Sequence, residues 1–187
     1  MKTIVILFTI ALQLNTTFFS EEKLPIDLKK SSIKWIGEYT FYFGGHEGFI
    51  KIKEGYLVKK NNVISGGEFV IDMNSITNTD IKKKDANEGL VNHLKDPDFF
   101  DVKKFPLAKI SITKVEYSDK NNARFEANLT IKGITKPINF LAELNPEKKE
   151  LKTRFKIDRT AWNVNYKSKF KDGAISDAIG FEVLIKL

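Results

Sequence analysis

The chain contains two histidines, His46 and His93, and no cysteine. Residues 90–106 read LVNHLKDPDFFDVKKFP, which sets Asp96, Asp98 and Asp101 shortly after the imidazole of His93. A histidine beside carboxylates can ligate a divalent cation or pass a proton as half of an acid–base pair. The spacing specifies neither. The chain has no HxH, HxxxH or HExxH pattern, and these carboxylates stand among Lys95, Lys103 and Lys104, so solvated surface charge accounts for them. No metal site is expected. Acid–base work by His93 with Asp98 or Asp101 stays open as an alternative. Nucleophilic chemistry finds no support, because there is no GxSxG and no thiol. Glu68, Glu126, Glu143 and Glu182 fall in the outward phase of apolar alternation, so no catalytic residue is assigned.

The elements that must position these residues are strands. From Leu24 onward the apolar period is two: Phe69, Ile71 and Met73 alternate with polar neighbours, and so do Phe125, Ala127, Leu129 and Ile131. Ile138, Phe140, Ala142 and Leu144 repeat the pattern, as do Ile179, Phe181, Val183, Ile185 and Leu187. Such alternation predicts half-buried antiparallel strands. Turn residues at Asn61-Asn62, Lys132-Gly133, Asn145-Pro146 and Lys171-Asp172-Gly173 divide them. The spacing predicts eight strands, at 31–43, 46–58, 63–73, 107–117, 123–131, 134–144, 151–157 and 178–187. Long sequential strands of this kind suit an up-and-down antiparallel barrel, with a two-sheet sandwich as the alternative. The pattern breaks between Met73 and Pro106. There Asp85 to Leu94 reads as a short helix with Leu90 and Leu94 on its apolar stripe, stopped by Pro97. The insertion, about residues 80–100, belongs at the mouth of the barrel, where a lid would sit.

The net charge is +7, carried by 28 lysines against three arginines. The lysines are dispersed, and lysine lacks the planar fork that reads phosphates and base edges, so nucleic acid is not an expected partner. Transient contact with a membrane surface is the remaining use for the excess charge. Residues 1–20, MKTIVILFTIALQLNTTFFS, read as an export signal: Lys2 precedes an apolar run from Thr3 to Leu14, too short to span a bilayer well. The cleavage site is left open. Residues 21–28 then form a linker and 29–187 the barrel, in the periplasm or outside the cell.

Fifteen phenylalanines, many in the inward phase, raise the question of whether the barrel is filled or hollow. Slim inward residues (Gly37, Ala108, Ala127 and Ala142) leave space beside the aromatics. Strand phase selects Trp35, Ile50, Ile52, Phe69 and Ile71 as lining on the first half of the chain. It selects Ile110, Ile112, Phe125, Leu129, Phe140, Phe155 and Phe181 on the second. Leu90, Leu94, Phe99 and Phe100 join them from the insertion, with one of the two adjacent phenylalanines facing the interior and the other packing the helix onto the barrel. His93 and Arg159 are the candidates for contact with a polar ligand head. His93 also stands in the last helical turn, where it can serve the carbonyls or the dipole.

Several runs together resemble the YceI-like family. They are Trp35-x-Gly37, Gly45-His46-x-Gly48, Gly66-Gly67-x-Phe69-x-Ile71-Asp72-Met73-x-Ser75-Ile76 and Leu90-x-x-His93-Leu94 with Asp98-Phe99-Phe100-Asp101-Val102 and Phe105-Pro106. Leu129-Thr130-Ile131-x-Gly133-x-Thr135-Lys136 and Phe155-x-Ile157-Asp158-Arg159-Thr160-x-Trp162 complete the series, which covers about Lys29 to Leu187. The resemblance implies a lipocalin-like antiparallel barrel of the bacterial envelope with an apolar tunnel. It implies a carrier or store for an isoprenoid, an isoprenoid quinone or a fatty-acid derivative, without catalytic activity and without a metal or covalent cofactor. The rival readings are an enzyme of lipid or isoprenoid precursor metabolism built on His93, and a filled barrel with no ligand. A homodimer is left open.

Overall fold

The computed structural model describes residues 21–40, 43–166 and 175–187. The export segment expected at 1–20 and the turn expected at Lys171-Asp172-Gly173 lie outside them. The described strands are β1 (Glu22–Pro25), β2 (Ser32–Tyr39), β3 (Gly45–Lys60), β4 (Val63–Asp72), β5 (Leu107–Tyr117), β6 (Asn122–Ile131), β7 (Ile134–Asn145), β8 (Glu150–Asp158) and β9 (Ile175–Lys186). They pair antiparallel in the order β1-β3-β2-β9-β8-β7-β6-β5-β4, and a further β3–β4 pairing closes β2 to β9 into an eight-stranded barrel. Closure gives every barrel strand a neighbour on both sides, although β7 and β8 pair only between Ala142–Asn145 and Glu150–Thr153.

Residues 21–28, expected as a linker, instead carry β1, paired from Glu22 opposite Lys59 to Pro25 opposite Tyr56. On the same edge of β3, β2 pairs only with Gly45 to Ile50, so β1 covers the length that β2 leaves bare. Ile26 is buried just beyond it, and the Asp27 N–H donates to Lys186 O at 2.8 Å, sewing this segment across one end of the barrel. A four-residue strand is too short for a period to register.

Two hairpins turn on left-handed pairs, Asn61-Asn62 (φ 52° and 63°) and Lys132-Gly133 (φ 49° and 74°). Two positive φ values in a two-residue loop match the strand twist, and Asn and Gly accept them at least cost. β3 bulges between Ile52 and Glu54, which inverts its phase: Ile50 and Ile52 face inward before the bulge and Leu57 after it.

Two apolar clusters fill the barrel. At the closed end Ile26, Leu57, Phe125, Ala127, Ala142, Leu144, Leu151 and Ile185 pack together. At the mouth Met73, Ile76, Leu94, Phe99, Val102, Trp162 and Val164 do so. From the closed-end cluster Phe125, Phe140, Phe155 and Phe181 form a ladder across β6 to β9, with successive ring centroids 5.5, 5.0 and 5.4 Å apart. Such spacing adds to the simple gain from burying the rings. The helix α1 (Lys84–Lys95) covers the mouth and buries Leu94. It ends where Asp96 turns to extended backbone (ψ 162°), as the residue before Pro97 must.

Candidate ligand-binding site

A cavity of about 340 Å³ runs between the two clusters, and every strand of the closed barrel contributes to its wall. That volume lies within the range of small-molecule sites. The expected lining residues Trp35, Ile50, Ile52, Phe69, Ile71, Ile110, Ile112, Leu129, Phe140, Phe155 and Phe181 all reach it, as do Leu90, Leu94, Phe99 and Phe100. Phe125 does not. It is wholly buried behind Phe140, a packed member of the closed end rather than of the wall. Of the slim residues, Gly37 and Ala108 line the space while Ala127 and Ala142 are taken up by packing. Ile33, Ile179, Val183 and Ile185 also line it and share the phase of Trp35 and Phe181, so alternation already pointed to them. Leu57 was hidden by the bulge.

The adjacent phenylalanines depart from expectation. Both Phe99 and Phe100 face the cavity, with ring centroids 5.0 Å apart. Residues 97–100 form a turn rather than extended chain, with the Phe100 N–H donating to Leu94 O, so the two-residue alternation does not apply. Lys132 fastens this turn from below. Its ammonium donates to Phe99 O at 2.7 Å and to Asn163 O at 3.2 Å, joining the lid to the 3₁₀ turn Arg159–Trp162. Trp162, from that turn, is buried and donates from Nε1 to Leu129 O at 3.0 Å.

Polar groups gather at the mouth, where β2 ends and β3 begins. The Tyr39 hydroxyl lies 2.9 Å from His46 Nε2, and His46 Nδ1 lies 2.8 Å from Asp80 Oδ2. Asp80 is set in place by the chain after β4. Residues 77–80 run along β3, with the N–H groups of Thr77 and Thr79 donating to Phe49 O and Glu47 O, both at 2.9 Å. Gly48 allows this approach, since a Cβ there would collide with the backbone of Thr77 and Asn78. Asn78 is buried, donating to Glu47 O and to Asp80 and accepting from Ile81 N–H and from Asn87 of α1. Partial burial pushes the Asp80 carboxyl up, but bonds from the Glu47 N–H, His46 and Asn78 outweigh it and hold the carboxyl below its ordinary value. Tyr39 shares the phase of Trp35, but no local signal connects His46 with Asp80, 34 residues away.

His93 and Arg159 also line the cavity. Nδ1 of His93 lies 3.8 Å from Asp98 Oδ1, its ring meets Tyr166 edge to face at 4.3 Å, and its Nε2 is buried without a hydrogen-bond partner. Arg159 is 4% exposed, and its guanidinium is already engaged by Ser176 O, Val164 O, Tyr166 O and Asp177 Oδ1. It therefore straps the start of β9 to the 3₁₀ turn. His93, Asp96 and Asp98 bring one potential ligand atom each within 4.8 Å of one another, whereas Asp101 stands apart from that group. Asp96 and Asp98 are exposed, so a cation there would be held mostly by surface carboxylates, and His93 is not within hydrogen-bond distance of Asp98 for proton transfer.

Comparison with known proteins agrees with this architecture. UPF0312 proteins of Pseudomonas putida strain W619 and Pseudomonas savastanoi pv. phaseolicola are 41% and 40% identical over 58 residues. That stretch is 31% of this chain and 30% of each relative, so the chain matches less than a third of the length of these curated relatives. The crystal structure of BcnA from Burkholderia cenocepacia has the same fold, with a TM-score of 0.70 at 19% identity over 86% of this chain and 98% of that one. The model of the YceI-like domain matches residues 24–187, from the end of β1 through the whole closed barrel, and the chain belongs to the YceI-like family.

Proposed function

We propose that this barrel binds one long-chain amphiphile, of isoprenoid or fatty-acyl type, and acts as a carrier or store for it in the periplasm or outside the cell. The observation that carries this reading is the 340 Å³ cavity, walled by apolar side chains from all eight strands of the closed barrel, with its ionisable groups gathered toward the mouth. Such a wall offers an alkyl or prenyl chain a dry lining, and each methylene buried contributes about 0.8 kcal/mol before ordering costs. Ten methylenes thus supply about 8 kcal/mol gross, so useful affinity needs no charged anchor. No cofactor and no turnover enter this reading. Native mass spectrometry of the gently purified protein, followed by solvent extraction, tests it. A stoichiometric prenyl or acyl adduct is the expected result. A bare mass, together with failure to take up an added alkyl probe, refutes it.

A further inference from the structure

The seam between β7 and β8 is laced at one end only. Its rungs run from Asn145 opposite Glu150 to Ala142 opposite Thr153 and stop there, although β7 reaches back to Ile134 and β8 onward to Asp158. Each strand is held from behind instead: β6 pairs with β7 as far as Ile134, and β9 with β8 as far as Asp158. The chain itself favours this gap. The Leu144 N–H donates to Asn121 O beside β6, while Leu141 O accepts from the Thr153 hydroxyl of β8 at 2.7 Å. In the unbroken register of β7 the odd-numbered residues therefore turn their backbone groups toward β8. Pro137 is one of them and brings no donor to that edge.

Outward side chains do not lace the gap either. Continuing the register sets Leu141 opposite Arg154 and Asn139 opposite Lys156. Yet Asn139 accepts from Arg124 of β6 at 3.3 Å, Arg154 pairs with Glu182 of β9 at 3.3 Å, and Lys156 pairs with Glu38 of β2 at 2.7 Å. Each is turned away from the gap, and Leu141 stays exposed. On the inner face Phe140 and Phe155 meet across it, with ring centroids 5.0 Å apart and planes 19° from parallel, and both line the cavity. Nearer the mouth Ile138 and Ile157 pack with the buried Trp162, which plugs that end. Between this plug and the last rung, the contact of Phe140 with Phe155 divides the cavity from solvent among the described residues.

We propose that this gap is a side entrance, through which the apolar chain of the ligand enters and leaves the cavity with Phe140 and Phe155 as the gate. The inference rests on the ligand-binding reading above. Parting β7 from β8 here breaks no rung of the ladder. Passage through the mouth instead requires the lid to give up the bonds of Lys132 to Phe99 O and Asn163 O and those of Asn87 to Asn78 O and Ile81 O. Those bonds must be broken before the lid lifts, whereas the gate needs two rings to turn and two strand edges to separate.

The test follows association and dissociation of a conjugated-polyene fatty acid, which brightens in apolar surroundings, with the purified protein in stopped flow. The chain has no cysteine, so Asn139→Cys combined with Lys156→Cys sets two thiols on facing sides of the gap, where a short thiol-bridging reagent joins them. Mass spectrometry confirms the bridge, and single-thiol variants carrying the same reagent control for its bulk. Bridging is expected to slow both rates about tenfold or more. Phe155→Ala, with melting curves confirming its fold, is expected to raise both rates about threefold or more, because a gate acts in both directions while a lost wall contact raises dissociation alone. A bridged protein that exchanges the probe as fast as the unbridged one overturns the inference, as does a Phe155→Ala variant in which only dissociation changes. In either case the probe still binds and only the side entrance falls. If the parent protein fails to bind the probe, the ligand-binding reading falls and the entrance with it.

Discussion

Gly48→Ala isolates the feature that builds the mouth. A Cβ at this position would stand 2.9 Å from Asn78 Cα and closer still to the Thr77 carbonyl, and β3 cannot retreat because Gly48 is paired with Trp35 of β2 on its other edge. The segment 77–80 must therefore lift away. It would give up the Thr77 and Thr79 N–H bonds to β3, the Glu47 N–H bond to Asp80, and the Trp35 Nε1 bond to Thr77 O. At about 1 kcal/mol net for each bond the full loss is about 4 kcal/mol, and partial relaxation brings the expected cost to about 2–4 kcal/mol. For a chain of this size that corresponds to a fall of about 5–15 °C in Tm. Thermal melting gives the magnitude, and hydrogen exchange at Thr77 and Thr79 locates it. A loss under about 1 kcal/mol, with both amides as protected as in the parent, would refute the claim that Gly48 holds this segment on β3.

Other perturbations address the cavity, the lid and the polar relay. Phe140→Asp and Leu129→Asp place a carboxylate in the apolar wall and are expected to abolish lipid retention; a folded variant that keeps its adduct in native mass spectrometry removes that position from the wall. Lys132→Met keeps the side-chain stem but frees the Phe99 and Asn163 carbonyls, so a stability loss of about 1–3 kcal/mol and faster ligand release are expected in denaturant titration and stopped-flow measurements. Asp80 gives a pH dependence of defined sign. Its folded carboxyl is held below the ordinary 3.8, so its stabilisation is full above that value and is lost as pH falls through the lower, folded one. Asp80→Asn is expected to flatten that acid limb of a Tm-versus-pH curve, and an identical limb in both proteins would remove Asp80 as its source.

Alternation of apolar residues was enough to read the eight barrel strands, because a wall with one face inward must repeat every two residues wherever it stays regular. The same phase selected most of the cavity lining, and Asp85 to Leu94 marked α1 to within a residue at each end. The reading failed where regularity fails. The bulge in β3 reversed the phase before Leu57, and the turn at residues 97–100 let Phe99 and Phe100 share one side. Phe125 and Phe140 face each other across β6 and β7 and have the same phase, yet one is packed away and the other lines the cavity, a distinction that alternation does not carry. Residues 21–28 became a strand because β3 offered an edge that β2 is too short to cover.

By itself, then, the sequence determined the element types, their order and which face of each strand turns inward, since these follow from local periodicity and turn chemistry. Only the tertiary structure decided that a cavity runs between two packed clusters, and that Asp80 stands behind His46 across 34 residues. Barrel closure and the path of residues 77–80 over Gly48 bring those groups together, and neither leaves a periodic trace in the chain.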